Sequence, residues 1–435
     1  MNSTEFLKAV FLKKKPELSP YKKGDVLVLF GELFQRGYAN GLVEEAEALG
    51  MTVVRATVGR RDGGGLRALT PEEMQTIPKP FINVPLEAGF DLEPDAQGHA
   101  PIDQIKDVKL SDWEGAKMDF KSLEDSRQRA VTRFRKNVEA FLLELEKHIP
   151  SGANVLFAHL MAGGVPRTKI VMPLMNRTCK GSGDRFLASE QLWQSDIGKF
   201  CAMNFTEVTA ETLRHLLELS TPLREKLEAR GAHVAYTAYG YHGTEILIHN
   251  EYRWQTYTPY IQGWAKLRLE EIATEAYKKG VHVCVYNCPE ILTNSSSIFQ
   301  GVEVSLYPLL KTIEKERGNT PSGQKILSEC KNLLRPEVSV DDILKKTDTY
   351  FTRPEIQAHC LFEKWPQHSS KDQLETMLKA SDELISLHKD EKQLITLPLS
   401  EVVFKSCGYV MLHTSWNPPS PVAFIGHEAV ARSIV

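Results

Sequence analysis

Short apolar runs recur along the first 320 residues, and most pairs of them are separated by enough chain for a helix. Residues 25–30, Asp-Val-Leu-Val-Leu-Phe, form the first such run and open onto a loop with glycines at 31, 37 and 41. An amphipathic stretch over 42–50 and a second apolar run over 51–58 follow, so residues 25–58 predict one βαβ unit with a right-handed crossover. Further strands are predicted over 80–84, 155–158, 233–239 and 281–286. Between them the helical period of 3.6 predicts helices over 125–148, 209–229 and 264–279. In the first, Ala130, Val131, Phe134, Val138, Phe141, Leu142 and Leu145 share one stripe; in the last, Trp264, Leu267, Leu269, Ile272, Ala273 and Ala276 do, and Gly280 is placed to end it.

Alternating strands and helices predict an α/β fold, a doubly wound Rossmann-type parallel sheet. Two stretches lack a firm period and read as large insertions: acidic, turn-rich residues 85–124, and 163–200, whose Gly163-Gly164, Pro166, Pro173 and Gly181-Ser-Gly183 suggest a long lid or binding loop. A helix is expected over 299–317. Residues 1–319 thus form the main domain, and 320–435 a mostly helical C-terminal extension packed on it, with strand-like runs at 402–404 and 408–412.

With 42% hydrophobic residues, 25% charged residues and a net charge of -3, the 435-residue chain is an ordinary globular protein with no basic excess to attract nucleic acid. Its seven cysteines are scattered without metal-ligand spacing, so neither a disulfide framework nor a metal site is expected. Residues 9–12 are too short an apolar run for a signal peptide, and no apolar stretch reaches the ~20 residues needed to span a bilayer. The expected compartment is the cytoplasm.

The candidate chemistry lies in three places. A glycine at 31 permits a tight turn off the first strand. One at 37 lets backbone approach a pyrophosphate at a helix N-terminus, although ordinary loop glycines explain the same pattern. After the second strand, Arg60 and Arg61 within Gly59-Arg-Arg-Asp62 either meet a ribose 2'-phosphate or are solvated charges of a mobile cationic loop. Third, Tyr257 precedes Lys266 at the start of the helix over 264–279. A phenol beside an ammonium is suited to meet an enolate left by hydride addition, whereas Tyr252, Trp254 and Tyr260 nearby equally suit a packed aromatic cluster. Serine hydrolysis has no Gly-x-Ser-x-Gly elbow, metal hydrolysis has no His-x-x-x-His pair, and His159 after the 155–158 strand reads as a structural histidine or a cleft residue.

These stretches together resemble the divergent enoyl-thioester reductases of the short-chain dehydrogenase/reductase superfamily. The Gly31, Gly37, Gly41 loop is similar to their elongated cofactor loop. Tyr241-His-Gly-Thr-Glu245 resembles their Tyr-x-Gly segment, and Pro289-Glu-Ile-Leu-Thr293 the loop that holds the nicotinamide carboxamide. Tyr257 and Lys266, with eight residues between them, match the wide spacing of the trans-2-enoyl-CoA reductase branch. The resemblance implies an NAD(P)H-dependent reductase of the carbon-carbon double bond of an enoyl-ACP or enoyl-CoA in fatty-acid synthesis. Tyr257 is then the proton donor, with Tyr260 as its rival in a narrower branch, Lys266 the ribose anchor and Tyr241 a second pocket tyrosine. Gly31, Arg36, Gly37, Tyr38, Gly41, Arg60, Arg61, Asn83, Ile291 and Thr293 join Lys266 as cofactor contacts. The implied cofactor is NADPH, with NADH as the alternative. The implied partner is an acyl thioester, carried on acyl carrier protein or coenzyme A, and the resemblance leaves room for a homo-oligomer. A carbonyl reductase and a non-catalytic NAD(P)-binding protein are the competing readings.

Overall fold

A computed structural model describes the chain except for residues 1–9, 64, 181–188, 257–260, 294–300, 363–368 and 435. Its centre is a parallel sheet of β1 (Val10–Leu12), β2 (Val26–Phe30), β3 (Thr52–Thr57), β4 (Phe81–Pro85), β5 (Val155–His159), β6 (Val234–Tyr239), β7 (His282–Asn287) and β8 (Val422–Ile425). The spatial order is β1-β8-β7-β6-β5-β2-β3-β4, and every pairing is parallel. Such a sheet must be covered on both faces, which is why its strands read as unbroken apolar runs. Side chains still alternate between two cores. Leu27, Leu29, Leu156, Ala158 and Tyr286 face one, while Val26, Val28, Phe30, Val155, Phe157 and Val285 face the other.

The first core is closed by α1 (Ala39–Ala48), the second by α2 (Phe120–Glu146), α3 (Thr212–Leu219) and α4 (Ile261–Tyr277). All named stripe residues of the 125–148 prediction except Val131 are buried in α2, which starts five residues earlier than expected under an Asp119 cap. The predicted 209–229 helix is broken into a π-turn over Glu207–Glu211, α3 and a helix over Thr221–Glu228.

Three expectations are corrected. Residues 163–200 hold helices over Val171–Lys180 and Ser189–Gln194, and the start of one over Asp196–Thr206. Pro173 lies in a first turn, where proline is tolerated, and Gly198 is needed because a Cβ there would lie 1.6 Å from the Leu192 carbonyl oxygen. This segment packs its Leu174, Ile197 and Phe200 against Phe90, Trp113 and Met118 of the 85–124 stretch, so the two insertions share a third core. In the stretch expected as a mobile loop, Arg60–Asp62 pairs antiparallel with Gly65–Arg67.

The strand-like runs at 402–404 and 408–412 lie inside one helix, α5 (Thr396–Ser415), whose period was hidden because it is buried nearly all round. After it the chain re-enters the main sheet as β8 between β1 and β7, so the 320–435 segment contributes a strand of the central sheet as well as helices. A second hairpin, Thr244–Ile248 with Glu251–Gln255, turns through His249 and Asn250 at φ 47° and 63° and was not foreseen. Among the described residues no helix is long and apolar enough to cross a membrane.

The helices α1 and α5 cross with backbone touching backbone. A Cβ at Gly41 would fall 1.9 Å from the Phe404 carbonyl oxygen, and one at Gly408 would fall 2.1 Å from the Gly41 carbonyl carbon. Gly41, which the resemblance implies as a cofactor contact, is therefore required as a glycine by packing. At Gly37 an added Cβ meets nothing within 4 Å. Gly41→Ala is expected to destabilise the protein by about 1–3 kcal/mol, the usual cost of overpacking, while Gly37→Ala stays within about 0.5 kcal/mol of the parent. Urea unfolding of the two variants measures this, and equal stabilities contradict the packing role.

Candidate active site

The strand order reverses between β2 and β5, and the crevice outside the carboxyl ends of the strands at such a reversal is where doubly wound sheets bind ligands. A cavity of about 220 Å³ lies there. The β2–α1 loop supplies Glu32, Arg36, Gly37 and Tyr38; β5 ends in His159; the loop after β6 supplies Gly240 and Tyr241; α4 supplies Lys266; and the loop after β7 supplies Glu290 and Thr293. Segments more than 200 residues apart in sequence thus meet because parallel strands all end on one side.

Gly31 takes φ +125° as the chain leaves β2, and a Cβ there would press within 3.1 Å of Leu160. The loop then reaches α1, whose first turn opens onto the cavity beside side-chain-free Gly37. The start of a helix without a side-chain cap and an exposed Arg36 suit an anion such as a pyrophosphate. The Tyr38 ring stacks on Tyr239 at 5.7 Å, and its hydroxyl donates to the Pro289 carbonyl at 2.6 Å, joining the β2, β6 and β7 loops.

Lys266 is half-buried, with Nζ donating to the Tyr239 carbonyl oxygen at 2.7 Å, and desolvation of its ammonium lowers its pKa to about 8. Near it, His159 Nε2 is 2.8 Å from Thr212 Oγ1. Burial, and then the neighbouring Lys266 charge, lower this imidazole to about 3, so it stays neutral. One turn along α4, Glu270 accepts a hydrogen bond from Asn287 Nδ2 at 2.8 Å and faces His242 Nδ1 at 3.3 Å, while Asn287 Oδ1 takes the His242 amide at 2.6 Å. Gly240 is required by this network, because a Cβ would lie 2.3 Å from Asn287 Oδ1. The buried triad ties β7, the Tyr241 loop and the Lys266 helix into one rigid frame.

The Glu290 carboxyl is buried at the cavity wall. Burial raises its pKa to about 7, against a hydrogen bond from Tyr241 and one from the Ile291 amide. Glu32 behaves oppositely: burial resists its ionisation, but the hydrogen bonds from Arg60 and Thr57 outweigh burial and hold it below the usual carboxylate range. Arg60 grips both Glu32 oxygens at 3.0 Å, and Thr57 Oγ1 donates to one of them at 2.9 Å.

The structure therefore gathers Gly37, Tyr38, Arg36, Tyr241, Lys266 and Thr293 at one cavity. Tyr257 and Tyr260 lie outside the described residues. Arg61 is engaged by Glu87 at 2.5 Å and Glu93 at 3.3 Å, which removes it as a ready phosphate partner. Asn83 is corrected to a structural clamp, since its amide group exchanges two 2.8 Å bonds with the Leu69 main chain. The Ile291 side chain is in the core and its N–H is directed to Glu290 Oε1 at 3.3 Å, so a cofactor contact by this residue would fall to its main chain. Sequence reasoning missed Glu32 and Glu290. Each was legible only as a lone carboxylate, one directly after the strand-ending Gly31 and one within the Pro289–Thr293 motif.

A protein-family model for the enoyl-acyl carrier protein reductase FabMG matches residues 8–434. Among solved structures, an apo FabMG, described as a novel type of enoyl-acyl carrier protein reductase, is 46% identical over 98% of both chains, with a TM-score of 0.94. A second, NADH-bound FabMG structure is 40% identical over 98% of both chains, with a TM-score of 0.78. The NADH complex of a Clostridium acetobutulicum trans-2-enoyl-CoA reductase is only 14% identical over 86% of this chain and 89% of that one, with a TM-score of 0.30, too distant to bear on the tyrosine-lysine spacing. No curated protein matches the chain. With nearly its whole length matched by that family's model, and a solved member 46% identical to it, the chain belongs to the FabMG family of enoyl-acyl carrier protein reductases.

Proposed function

We propose that this protein reduces the carbon-carbon double bond of an enoyl thioester carried on acyl carrier protein, using NADH, as a step of fatty-acid synthesis. The observation that carries this is the convergence of Gly37, Tyr241 and Lys266 on one cavity at the strand-order reversal of a FabMG-family chain. Bound NADH supplies the hydride, which adds to the β-carbon of the thioester. The protein's part is to hold the charge that then develops on the thioester oxygen. Lys266, a half-buried ammonium at neutral pH, anchors the nicotinamide ribose and lowers the cost of negative charge nearby. Tyr257 donates the proton or strong hydrogen bond, and Tyr241 is the second hydroxyl in the pocket.

Support for NADH over NADPH comes from Glu32. An ionised carboxylate bonded to Thr57 at the end of β3 lies where an adenosine ribose is held in this fold, accepts hydroxyl donors and repels a 2'-phosphate, and it already occupies Arg60. The preference for NADPH expected from a free Arg60 and Arg61 is revised accordingly. The relative with bound NADH agrees with this choice.

Two measurements test the reading. Tyr257→Phe keeps the ring, so NADH affinity is expected to survive while kcat with a crotonyl thioester falls by ~100-fold. Lys266→Ala is expected to lose NADH affinity as well. Full activity in Tyr257→Phe with loss in Tyr260→Phe moves the proton donor to Tyr260; acetoacetyl thioester turned over in preference to crotonyl makes the protein a carbonyl reductase instead.

The second concerns cofactor choice. Glu32→Gln removes the negative charge and frees Arg60, so the NADH:NADPH affinity ratio should fall by about tenfold, mainly through tighter NADPH binding. An unchanged ratio in fluorescence titrations, or an initial preference for NADPH, contradicts the role given to Glu32.

A further inference from the structure

The Glu290 carboxyl has no part in the mechanism above, yet it is the one acid in the cavity wall that meets a candidate substrate-binding hydroxyl. Its Oε1 takes the Ile291 amide at 3.3 Å, Tyr241 lines the same cavity as the carboxyl's side-chain partner, and Oε2 is buried with no hydrogen-bond partner among the described residues. The loop that carries it is clamped at Pro289 by the Tyr38 hydroxyl, and the Tyr241 loop is clamped by Asn287 through the His242 amide. Both partners of the Glu290–Tyr241 contact are thus held on rigid supports at the mouth of the reaction cavity.

We propose that Glu290 is a positioning residue that sets the direction of the Tyr241 hydroxyl, and so decides whether that hydroxyl is donated to the thioester carbonyl. A phenol has one proton to donate. When Glu290 is an anion it can only accept, so Tyr241 donates to it and turns its lone pairs towards the substrate oxygen, where they repel developing charge. When Glu290 is protonated, its own O–H donates to the Tyr241 oxygen, and the phenolic O–H is released to donate to the thioester oxygen. The two states differ by one proton, which Glu290 takes from or gives to solvent, and with it the direction of the hydrogen-bond chain reverses.

The charged and titratable groups facing Glu290 allow this switch near neutrality. Glu303, from the turn over Val302–Leu306, disfavours its anion, and burial disfavours it more. Across the cavity stand Lys266 of α4, neutral His159 of β5 and Tyr38 at the start of α1. Because the carboxyl's pKa is raised to about 7, its proton is present below that pH and lost above it, so productive donation by Tyr241 falls as pH rises through about 7. Lys266 loses its charge in a separate step near pH 8.

This inference rests on the enoyl-reductase reading, and the test separates the two. Wild-type protein is first assayed with NADH and a crotonyl thioester at pH 6, where absence of turnover defeats the function itself. With turnover established, kcat/KM is followed from pH 5.5 to 9, a range about centred on the two titrations. Wild-type activity is expected to decline from about pH 7. In Glu290→Gln, whose side-chain amide donates at every pH, the decline is expected to move up to about pH 8, where Lys266 titrates. Should Glu290→Gln fail to fold, Tyr241→Phe carries the test, because without the hydroxyl the decline near pH 7 must vanish too. A decline that stays near pH 7 in whichever variant folds overturns the proposal.

Discussion

Two backbones in contact hold the architecture together. Where α1 crosses α5, Gly41 and Gly408 leave no room for even a methyl group, and the helices approach as closely as main chain allows. That closeness fixes α5 against the face of the sheet that carries Leu27, Leu29 and Leu156, and the chain leaving α5 then enters the sheet as β8. The same crossing sets the height of α1's first turn above β2, and therefore the place of Gly37 and Tyr38 at the cavity. A packing contact in the first turn of α1 thus decides where the start of that helix stands at the cavity.

The site is built the same way, from few polar groups held by rigid neighbours. Lys266 would be costly to bury without a partner, and the Tyr239 carbonyl at the end of β6 provides one. Asn287, Glu270 and His242 tie the helix bearing Lys266 to the loop bearing Tyr241, so the two side chains are placed relative to each other by buried hydrogen bonds, not by the surface loops around them. Two carboxylates in one cleft are driven apart: Glu32 is ionised by Arg60 and Thr57, and Glu290 is kept near its neutral form by burial.

How much of this was legible follows from the physics of each segment. Strands buried on both faces announce themselves as apolar runs, so β2, β3, β5, β6 and β7 were readable, and with them the parallel sheet and its strand-order reversal. The same rule misled at α5, because a helix buried nearly all round has no polar face to reveal its period. Residues 163–200 misled through their glycines and prolines: Pro173 stands in a first helical turn and Gly198 serves close packing, not a loop. In the site, the meeting of Lys266 and Tyr241 at one cavity was readable, because both follow the strand predicted over 233–239. Arg60 and Arg61 were not, since their partners Glu32, Glu87 and Glu93 are distant in sequence and a charge shows no sign of being paired there. Asn83 misled in the same way, since its partner is the Leu69 main chain.

The claim on which the rest turns is that the crevice between β2 and β5 takes the dinucleotide with its nicotinamide end towards Lys266. A crystal structure of this protein with NADH tests that directly. The account predicts the adenosine ribose hydroxyls on Glu32, the pyrophosphate over Gly37 and the first turn of α1, and the nicotinamide ribose within hydrogen-bonding distance of Lys266 Nζ. NADH seated in another cavity, or bound in this crevice with its nicotinamide remote from Lys266, would contradict it.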